Sequence, residues 1–338
     1  MILIQNYFVA ITFTVLAMIC WGSWANTQKM AAKTWRFELF YWDLIIGILL
    51  MSIISAFTVG SLGNTGRPFI EDLQQANFNS ILFAMLGGLL WNVGNLLLVA
   101  AISVAGMSVA FPIGGGIAWI LGIILNYINI IIKGGTPSSK PMFLWIGVVI
   151  IVIAILLNGK AYSNLAREKK KASIQGIVLS VIAGLFIACF YPVVVNSLDA
   201  VFVSGGKGNL TPYTAIFFFA IGVFISTFFV NPFFMRRPVV GPPVKVREYF
   251  KGNIGTHFTG VLGGAIWMLG MIFSYMALGA ANPAIAYALS NAAPVVAILW
   301  GVLVWKEFKG APKGTDILLY VVFIAYVVGL VFITFSNA

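Results

Sequence analysis

Two amides and an indole lie close together in an apolar segment of this chain, where polar groups are rare. Trp91, Asn92 and Asn95 follow Gly88 by three, four and seven residues, which places all four on one face of a helix. Amides facing lipid would be costly, so this face is predicted to look into a helix bundle. There the amides can exchange hydrogen bonds with a polar solute, and the indole offers a flat wall. Hydrogen bonding between helices, worth about 0.6–2 kcal/mol, is the alternative role for the amides.

This segment occurs twice. Residues 86–94 and 262–270 share the pattern Leu-Gly-Gly-x-x-Trp-x-x-Gly at an offset of 176 residues, close to half of the 338-residue chain. The tryptophan repeats at Trp267, whereas Met268 and Met271 replace the two amides. Packing explains what two homologous halves keep, while a solute without that symmetry is recognised where they differ. The difference therefore favours the two amides as solute contacts.

Aromatic and polar residues on other apolar segments extend this candidate site. Tyr287, Ser290, Asn291 and Pro294 share a helix face in the same way. Aromatic rings would sandwich a flat solute, and amides and hydroxyls would bond its polar edge. The predicted solute-binding residues are Trp21, Trp91, Asn92, Asn95, Tyr191, Trp267, Tyr287, Ser290 and Asn291.

Glycine and proline interrupt the same segments. Each can loosen a helix and free backbone groups for a polar ligand, although a kink that serves packing alone is equally compatible with them. The glycines 114–116 do not form a phosphate-binding loop, because no Gly-Lys-Ser/Thr follows them. The predicted helix breaks are Gly22, Pro112, Gly115, Pro192 and Pro294.

One carboxylate, Asp43, is predicted to lie deeper in the membrane than any other acidic side chain. It follows the start of its apolar segment by one to two helical turns. A charge at the bilayer centre costs about 2.5–3.5 kcal/mol, so we predict that Asp43 binds a coupling proton or gates transport. Pairing with a loop Lys or Arg is the alternative. Glu38 joins the same proton-coupling or gating group, with a solvated charge at a helix N-terminus as the simpler explanation.

The composition defines the class of protein. Hydrophobic residues make up 61% of the chain and charged residues 9%, against about 25% charged in soluble domains. Apolar runs of about 20 residues predict a helical protein that crosses a lipid bilayer many times. The positive charge lies in short loops, so no nucleic-acid partner is expected. No metal-ligand cluster and no nucleophile–base pair is visible, so no metal, no cofactor and no enzyme activity is expected, and His257 is assigned a structural role.

Ten membrane spans are predicted, and their loops indicate the orientation. Of the 20 Lys and Arg residues, 16 fall on one side, which is placed in the cytoplasm with both termini outside. Five spans per half is an odd number, so the halves enter the membrane in opposite directions, as in many secondary transporters. The predicted fold class is an all-α membrane protein with a 5+5 inverted repeat: residues 1–160, a cytoplasmic basic linker at 161–172, and residues 173–338. The spans are 6–26, 38–58, 79–101, 105–130, 142–159, 173–197, 211–231, 256–278, 282–304 and 315–335.

These features resemble the drug/metabolite transporter superfamily and, within it, the ureide permeases. The motifs that carry the resemblance are short: Cys-Trp-Gly-Ser-Trp at 20–24, Tyr-Trp-Asp at 41–43, Gly-Asn at 94–95, Thr-Pro-Tyr-Thr at 211–214, and the stretch from Pro294 through Trp300-Gly301 to Glu307. The resemblance implies a proton-coupled transporter of ureides such as allantoin, or of nucleobases such as uracil. It also implies that Asp43 and Asn95 occupy the family's acidic and amide positions. The central loop lacks the nucleotide-binding-like motif of the plant proteins, so regulation through it is not expected.

The sequence thus predicts a secondary active transporter of the inner or plasma membrane that moves a small polar solute by alternating access. A proton is the expected coupling ion, with sodium as the alternative. The Trp-Gly-Ser start of the motif in span 1 is also similar to bacterial sugar porters of the glucose, ribose or rhamnose type, so a monosaccharide is the alternative solute. A channel is disfavoured, because two equivalent gates suit alternating access. Spans 5 and 10 are nearly uniform aliphatic runs and are assigned to the periphery or to a homodimer interface.

Overall fold

The chain folds into a bundle of membrane-length helices. The computed structural model describes residues 1–31, 35–105, 107–165, 174–199, 207–239 and 241–338. Within these ranges, ten helices are long and apolar enough to cross a membrane, which confirms the all-α fold class with ten spans. They are α1 (Tyr7–Met30), α2 (Phe37–Phe57), α3 (Phe78–Ala105), α4 (Pro112–Ile132), α5 (Pro141–Asn164), α6 (Ile174–Val195), α7 (Pro212–Arg236), α8 (Ile254–Gly279), α9 (Pro283–Val304) and α10 (Thr315–Phe335).

The helix starts follow from local sequence. Three helices, α5, α7 and α9, begin at a proline, whose fixed φ suits the first helical turn and whose missing N–H is not needed there. Asn6, Asn253 and Asn282 cap α1, α8 and α9, each accepting a hydrogen bond from a backbone N–H three residues ahead. Several helices run four or five residues past the predicted end, and α7 does so although its extension contains Pro232.

Glycines bring the central helices into backbone contact. Gly88 of α3 lies against the carbonyl of Phe219 in α7, and Gly264 of α8 lies against the carbonyl of Leu44 in α2. A methyl group at either glycine would overlap that carbonyl oxygen. Small residues at such crossings allow the close approach on which helix packing in membranes depends. The repeated Leu-Gly-Gly motif is therefore a packing element.

The same pairing recurs with the roles reversed. Gly222 of α7 lies against the carbonyl of Met85 in α3, and Gly47 of α2 lies against that of Val261 in α8. The α3–α7 crossing therefore matches the α8–α2 crossing. Gly88 corresponds to Gly264 at an offset of 176 residues, and Gly47 corresponds to Gly222 at an offset of 175. An inverted repeat of two five-helix halves predicts this correspondence.

Two helices are interrupted. In α1 a turn at Trp24 and Ala25 separates Tyr7–Ser23 from Asn26–Met30. In α9 residues 291–293 separate Pro283–Ser290 from Pro294–Leu299. A wider π-helical turn, Phe111–Gly115, includes the start of α4, and another, Trp300–Val304, ends α9. The break in α1 thus follows Gly22, that in α9 precedes Pro294, and Pro112 and Gly115 lie in the π turn.

Helix α6 differs from the sequence-based expectation, because it runs through Pro192 without interruption. Proline removes one backbone donor, yet the helix continues, and Phe190, Tyr191 and Pro192 are all buried. Helices α5 and α10 pack on each other through Gly147 and Gly329. Most of the predicted basic linker, residues 166–172, lies outside the described residues.

Candidate functional site

A cavity of about 580 Å³ lies in the bundle between the two halves of the chain. Aromatic rings line much of its wall, and polar side chains that include amides of α1, α3, α5 and α9 line the rest. At one end it extends to Lys29, whose side chain is 45% exposed. The lining residues on which the site argument depends are Trp21, Trp91, Trp119, Trp267, Phe190, Tyr287, Asn95, Asn158 and Asn291.

Three tryptophans form the inner wall. The ring centroids of Trp91 and Trp267 lie 4.1 Å apart, and those of Trp21 and Trp267 lie 5.9 Å apart. Trp21 Nε1 donates a 3.0 Å hydrogen bond to the carbonyl of Trp267, which fixes the indole. Phe219 stacks against the other side of Trp267 at 5.7 Å. The cluster offers a rigid aromatic surface to anything in the cavity.

Helices α4 and α9 cross beside this wall through two reciprocal hydrogen bonds. Tyr287 Oη donates to the carbonyl of Ala118 at 2.8 Å, and Trp119 Nε1 donates to the carbonyl of Ala288 at 3.0 Å. Both donors also line the cavity. The crossing holds both aromatic side chains in place.

Six of the nine predicted solute-binding residues line the cavity: Trp21, Trp91, Asn95, Trp267, Tyr287 and Asn291. Of the two α3 amides, Asn95 is at the cavity, and its one described side-chain bond is a long one, 3.5 Å from Nδ2 to Tyr41 Oη. Its hydrogen-bonding capacity is thus largely available to a ligand.

The other three residues lie away from the cavity in satisfied networks. Asn92 is fully buried between helices, where Oδ1 accepts from Tyr41 Oη at 2.6 Å and Nδ2 donates to Ser226 and Thr227 of α7 at 2.8 and 3.1 Å. Tyr191 and Ser290 are also fully buried, and their hydroxyls bond Ser274 at 3.1 Å each. These contacts join helices to one another.

Asp43 lies in a polar cluster between α2 and α8. Its side chain is 2% exposed, and His257 Nδ1 lies 2.9 Å from Oδ1 and 3.0 Å from Oδ2. Tyr249, in the short 3₁₀ helix Val246–Lys251, donates to Oδ1 at 2.5 Å. Burial, and then the bonded carboxylate, raise the pKa of Tyr249 above its ordinary range. The partners of Asp43 are therefore a histidine and a tyrosine, rather than the loop Lys or Arg that the sequence offered as an alternative.

Glu38 lies nearer the surface than Asp43 and takes part in a separate contact. Its carboxylate pairs with the guanidinium of Arg36, which also donates to the carbonyl of Pro242. The backbone carbonyl of Glu38 accepts a 2.9 Å bond from Asn231 of α7. These bonds attach the loop before α2 to the segment after α7, outside the cavity.

The cavity mouth carries an ion pair. Lys29, at the end of α1, pairs with Glu307 after α9, and its ammonium lies 4.9 Å from the ring centre of Trp305. Trp305 Nε1 donates to Asn26 at 2.6 Å. Sequence reasoning missed this cluster because Asn26 and Lys29 lie at the end of α1 while Trp305 and Glu307 follow α9, and only the fold brings the two segments together.

A buried ionic network lies at the opposite end of the bundle, and we call it the Arg67 network: Arg67, Asp72, Gln75, Asp199 and the backbone of 208–211. Arg67 Nε donates to Asp72 at 2.8 Å, and Nη1 donates to Asp199 at 3.0 Å, with the Arg67 and Asp72 side chains 1% and 0% exposed. Asp72 also accepts from the N–H of Thr211 at 2.7 Å. The network joins the loop before α3 to the segment before α7.

Comparison with known proteins assigns the family. The sequence model of the ureide permease family matches residues 40–174 and 165–336, which together cover most of the chain. The chain belongs to the ureide permease family. Its relatives include ureide permease 2 of Arabidopsis thaliana, 24% identical with 95% of each chain covered, and ureide permease 1 of the same plant, 23% identical with 100% of this chain and 99% of the relative covered. The probable ureide permease A3 of Vigna unguiculata is 24% identical over 91% of this chain and 98% of its own.

Membership of the ureide permease family confirms that the chain is a multi-pass membrane transporter rather than an enzyme. A solved crystal structure with 13% identity matches the fold, with a TM-score of 0.60 over 95% of this chain and 98% of the other. Among the described residues no group of three or more His, Cys, Asp or Glu side chains lies together as metal ligands would.

Proposed function

We propose that this chain is a secondary active transporter that carries a ureide-type solute across the membrane by alternating access. The observation that carries the proposal is the aromatic cavity between the two halves, which reaches one end of the bundle while the Arg67 network closes the other. The relatives named as ureide permeases, matched over their whole length, support the solute class.

The chemistry of the cavity suits a small flat heterocycle. A cyclic ureide presents two faces without charge and an edge on which N–H and C=O groups alternate. The Trp91 and Trp267 rings provide a wall for a face, and Asn95 and Asn291 provide donors and acceptors for the edge. Ligand sites of this type are mostly apolar, with a few polar groups that fix orientation.

Alternating access is supported by the arrangement of the ends. In an inverted repeat the two ends are built from equivalent segments, so an arrangement that is closed at one end can be adopted at the other. The paired glycine crossings, whose equivalent glycines are offset by 175 or 176 residues, support such a relation between the two halves. We propose that the open end, at Lys29 and Glu307, faces the cytoplasm and that both termini face outward, as the loop charges predict.

Proton coupling is assigned to Asp43 together with His257. Each group can bind a proton, and His257 Nδ1 lies 2.9 Å from the carboxylate of Asp43, whose side chain is 2% exposed. Arg36 and Glu38 lie nearby but bond each other, and Tyr249 completes the cluster by donating to the carboxylate. Intramembrane carboxylates with a titratable partner are typical of proton pathways in transporters. Sodium is the alternative coupling ion to test. A homodimer through the outer faces of α5 and α10 is a separate expectation.

Uptake into proteoliposomes tests the proposal. Vesicles loaded at pH 7.5 would be diluted to pH 6.0 or 7.5 with labelled allantoin, uracil or glucose. We expect accumulation of the heterocycles above equilibrium only with the inward proton gradient, and loss of that accumulation with a protonophore. Accumulation of glucose instead would reassign the cavity to a monosaccharide. Equilibration without accumulation under either a proton or a sodium gradient would exclude secondary active transport.

A further inference from the structure

A small recess adjoins the main cavity at the two irregular helices. Its volume is about 20 Å³, and it lies between the start of α4, the middle of α5, the break in α9 and α10. Gly115, Trp119, Asn158, Asn291 and Pro294 line both spaces, so the recess is a side compartment of the cavity. A space of this size holds one water-sized polar group.

Two polar atoms in the wall of the recess have no hydrogen-bond partner among the residues that the structure describes. They are Asn158 Oδ1 of α5 and Tyr326 Oη of α10, in residues that are 7% and 0% exposed. Buried polar atoms nearly always have a partner, because leaving one unpaired costs about 1–3 kcal/mol. Four other described side-chain atoms, in Trp35, Asn126, Asn231 and Tyr275, are also buried without a partner, but their residues line neither space. The position of Asn158 and Tyr326 beside a cavity is therefore what points to a ligand.

The two atoms also define what the missing group must offer. Asn158 Oδ1 can only accept a hydrogen bond, whereas the hydroxyl of Tyr326 can donate one. A bound cation would use lone pairs from both and leave the hydroxyl hydrogen unpaired. A ureido group carries an N–H donor directly beside a C=O acceptor, and so satisfies both atoms at once.

We infer that the recess is the recognition subsite for one ureido –NH–CO– group of the solute, with Asn158 accepting from its N–H and Tyr326 donating to its carbonyl. This inference rests on the proposed function and specifies the part of the solute that is read. The recess admits only one polar group, so the carbonyl enters it toward Tyr326, while the N–H stays at its mouth beside Asn158, which lines both spaces. The ring of the solute stays in the main cavity against the tryptophans. The subsite also gives α5 and α10 a part in solute recognition, through Asn158 and Tyr326. The sequence had assigned these helices to the periphery or to a homodimer interface.

Three single variants test the subsite in purified protein. Tyr326→Phe and Asn158→Leu remove the two atoms and little volume. Tyr275→Phe is the matched control, since Tyr275 Oη is also fully buried and unpartnered among the described residues but lines neither space. We expect allantoin affinity, measured by calorimetry, to fall about tenfold in the first two variants and to stay unchanged in the third. Melting temperatures without ligand should not fall in Tyr326→Phe or Tyr275→Phe, because no bond is lost.

A ligand series separates the subsite from the alternatives. Wild-type protein should bind hydantoin more tightly than at least one of its two N-methyl derivatives, and Asn158→Leu should lose that preference. If wild-type protein binds ureides and all three variants match it, the recess holds only water and the inference is wrong. If removal of sodium weakens wild-type binding but not binding to Tyr326→Phe, the recess is a cation site and the inference is also wrong. If wild-type protein binds no ureide, the proposed function itself fails.

Discussion

The rings of Trp91 and Trp267 lie with their centroids 4.1 Å apart, and they occupy equivalent positions of the repeated Leu-Gly-Gly-x-x-Trp motif. One ring belongs to α3 and the other to α8, so each half of the chain contributes one side of the contact. A solute that touches this pair therefore touches both halves at their meeting point.

Replacing Trp267 by leucine should weaken solute binding without unfolding the protein. Stacking of a heterocycle on an aromatic side chain is worth about 1–3 kcal/mol, so we expect affinity to fall by about 5-fold to 150-fold. Trp145→Leu is the control, because Trp145 packs on Tyr127 at 5.4 Å and does not line the cavity. Calorimetric titration of both variants measures the difference. Equal affinity in the two variants would mean that the solute does not rest on the tryptophan wall.

The sequence predicted the ten spans and the inward face of α3 correctly, because hydrophobic length and helical periodicity are local properties. It could not separate Asn92 from Asn95, which differ by three residues on that face. The distinction depends on Ser226 and Thr227 of α7, which bond Asn92, and no local signal in α3 encodes them. Asn158 and Tyr326 were missed for a related reason: one polar residue in a long aliphatic run looks incidental until the fold places two such residues in one wall.

The partner of Asp43 shows the same limit. His257 lies 214 residues away in sequence, and only the α2–α8 glycine crossing brings the two together, with Gly260 packed directly against Asp43. Sequence reasoning identified the buried carboxylate correctly from the cost of charge in a membrane helix. The choice between a lysine, an arginine and a histidine as its partner required the fold.

Gly264→Ala should destabilise the protein, whereas Gly116→Ala should not. A methyl group at Gly264 overlaps the carbonyl of Leu44, so α2 and α8 must separate, and overpacking of this kind costs about 1–3 kcal/mol. At Gly116 the nearest atom to an added methyl, in Ile155, is 3.6 Å away, an ordinary contact. Thermal melting in detergent compares the two variants. A melting temperature for Gly264→Ala equal to that of wild type would show that the helix crossing adapts freely.

The pH dependence of uptake should depend on the Asp43 cluster. Asp43→Asn should abolish proton-driven accumulation while solute exchange across the membrane continues, because the cavity is unchanged. In Tyr249→Phe the carboxylate loses a donor that favours its ionised form, so the pH profile of accumulation should move toward alkaline pH. Tyr162→Phe, which removes a hydroxyl at the cavity mouth outside this cluster, serves as the comparison. Proton-driven accumulation by Asp43→Asn at the wild-type level would place coupling elsewhere.

Breaking the Arg67 network should open the end of the bundle that it closes. Asp72→Asn leaves Arg67 with less compensation in a buried position, and loss of one partner from a buried pair costs about 3–5 kcal/mol. That cost falls on the conformation in which the network is formed, so the population should shift toward the conformation in which the network is broken.

A cysteine beside the network reports this shift. Ser80 is 3% exposed there, and Ser80→Cys is introduced into a protein whose two native cysteines are replaced by serine. Labelling of this cysteine by a membrane-impermeant maleimide should accelerate at least tenfold in Asp72→Asn. Lys251→Met, which breaks an exposed pair with Glu248, should leave the rate unchanged. A lower melting temperature with no change in labelling would mean that the network supports the fold but does not gate access.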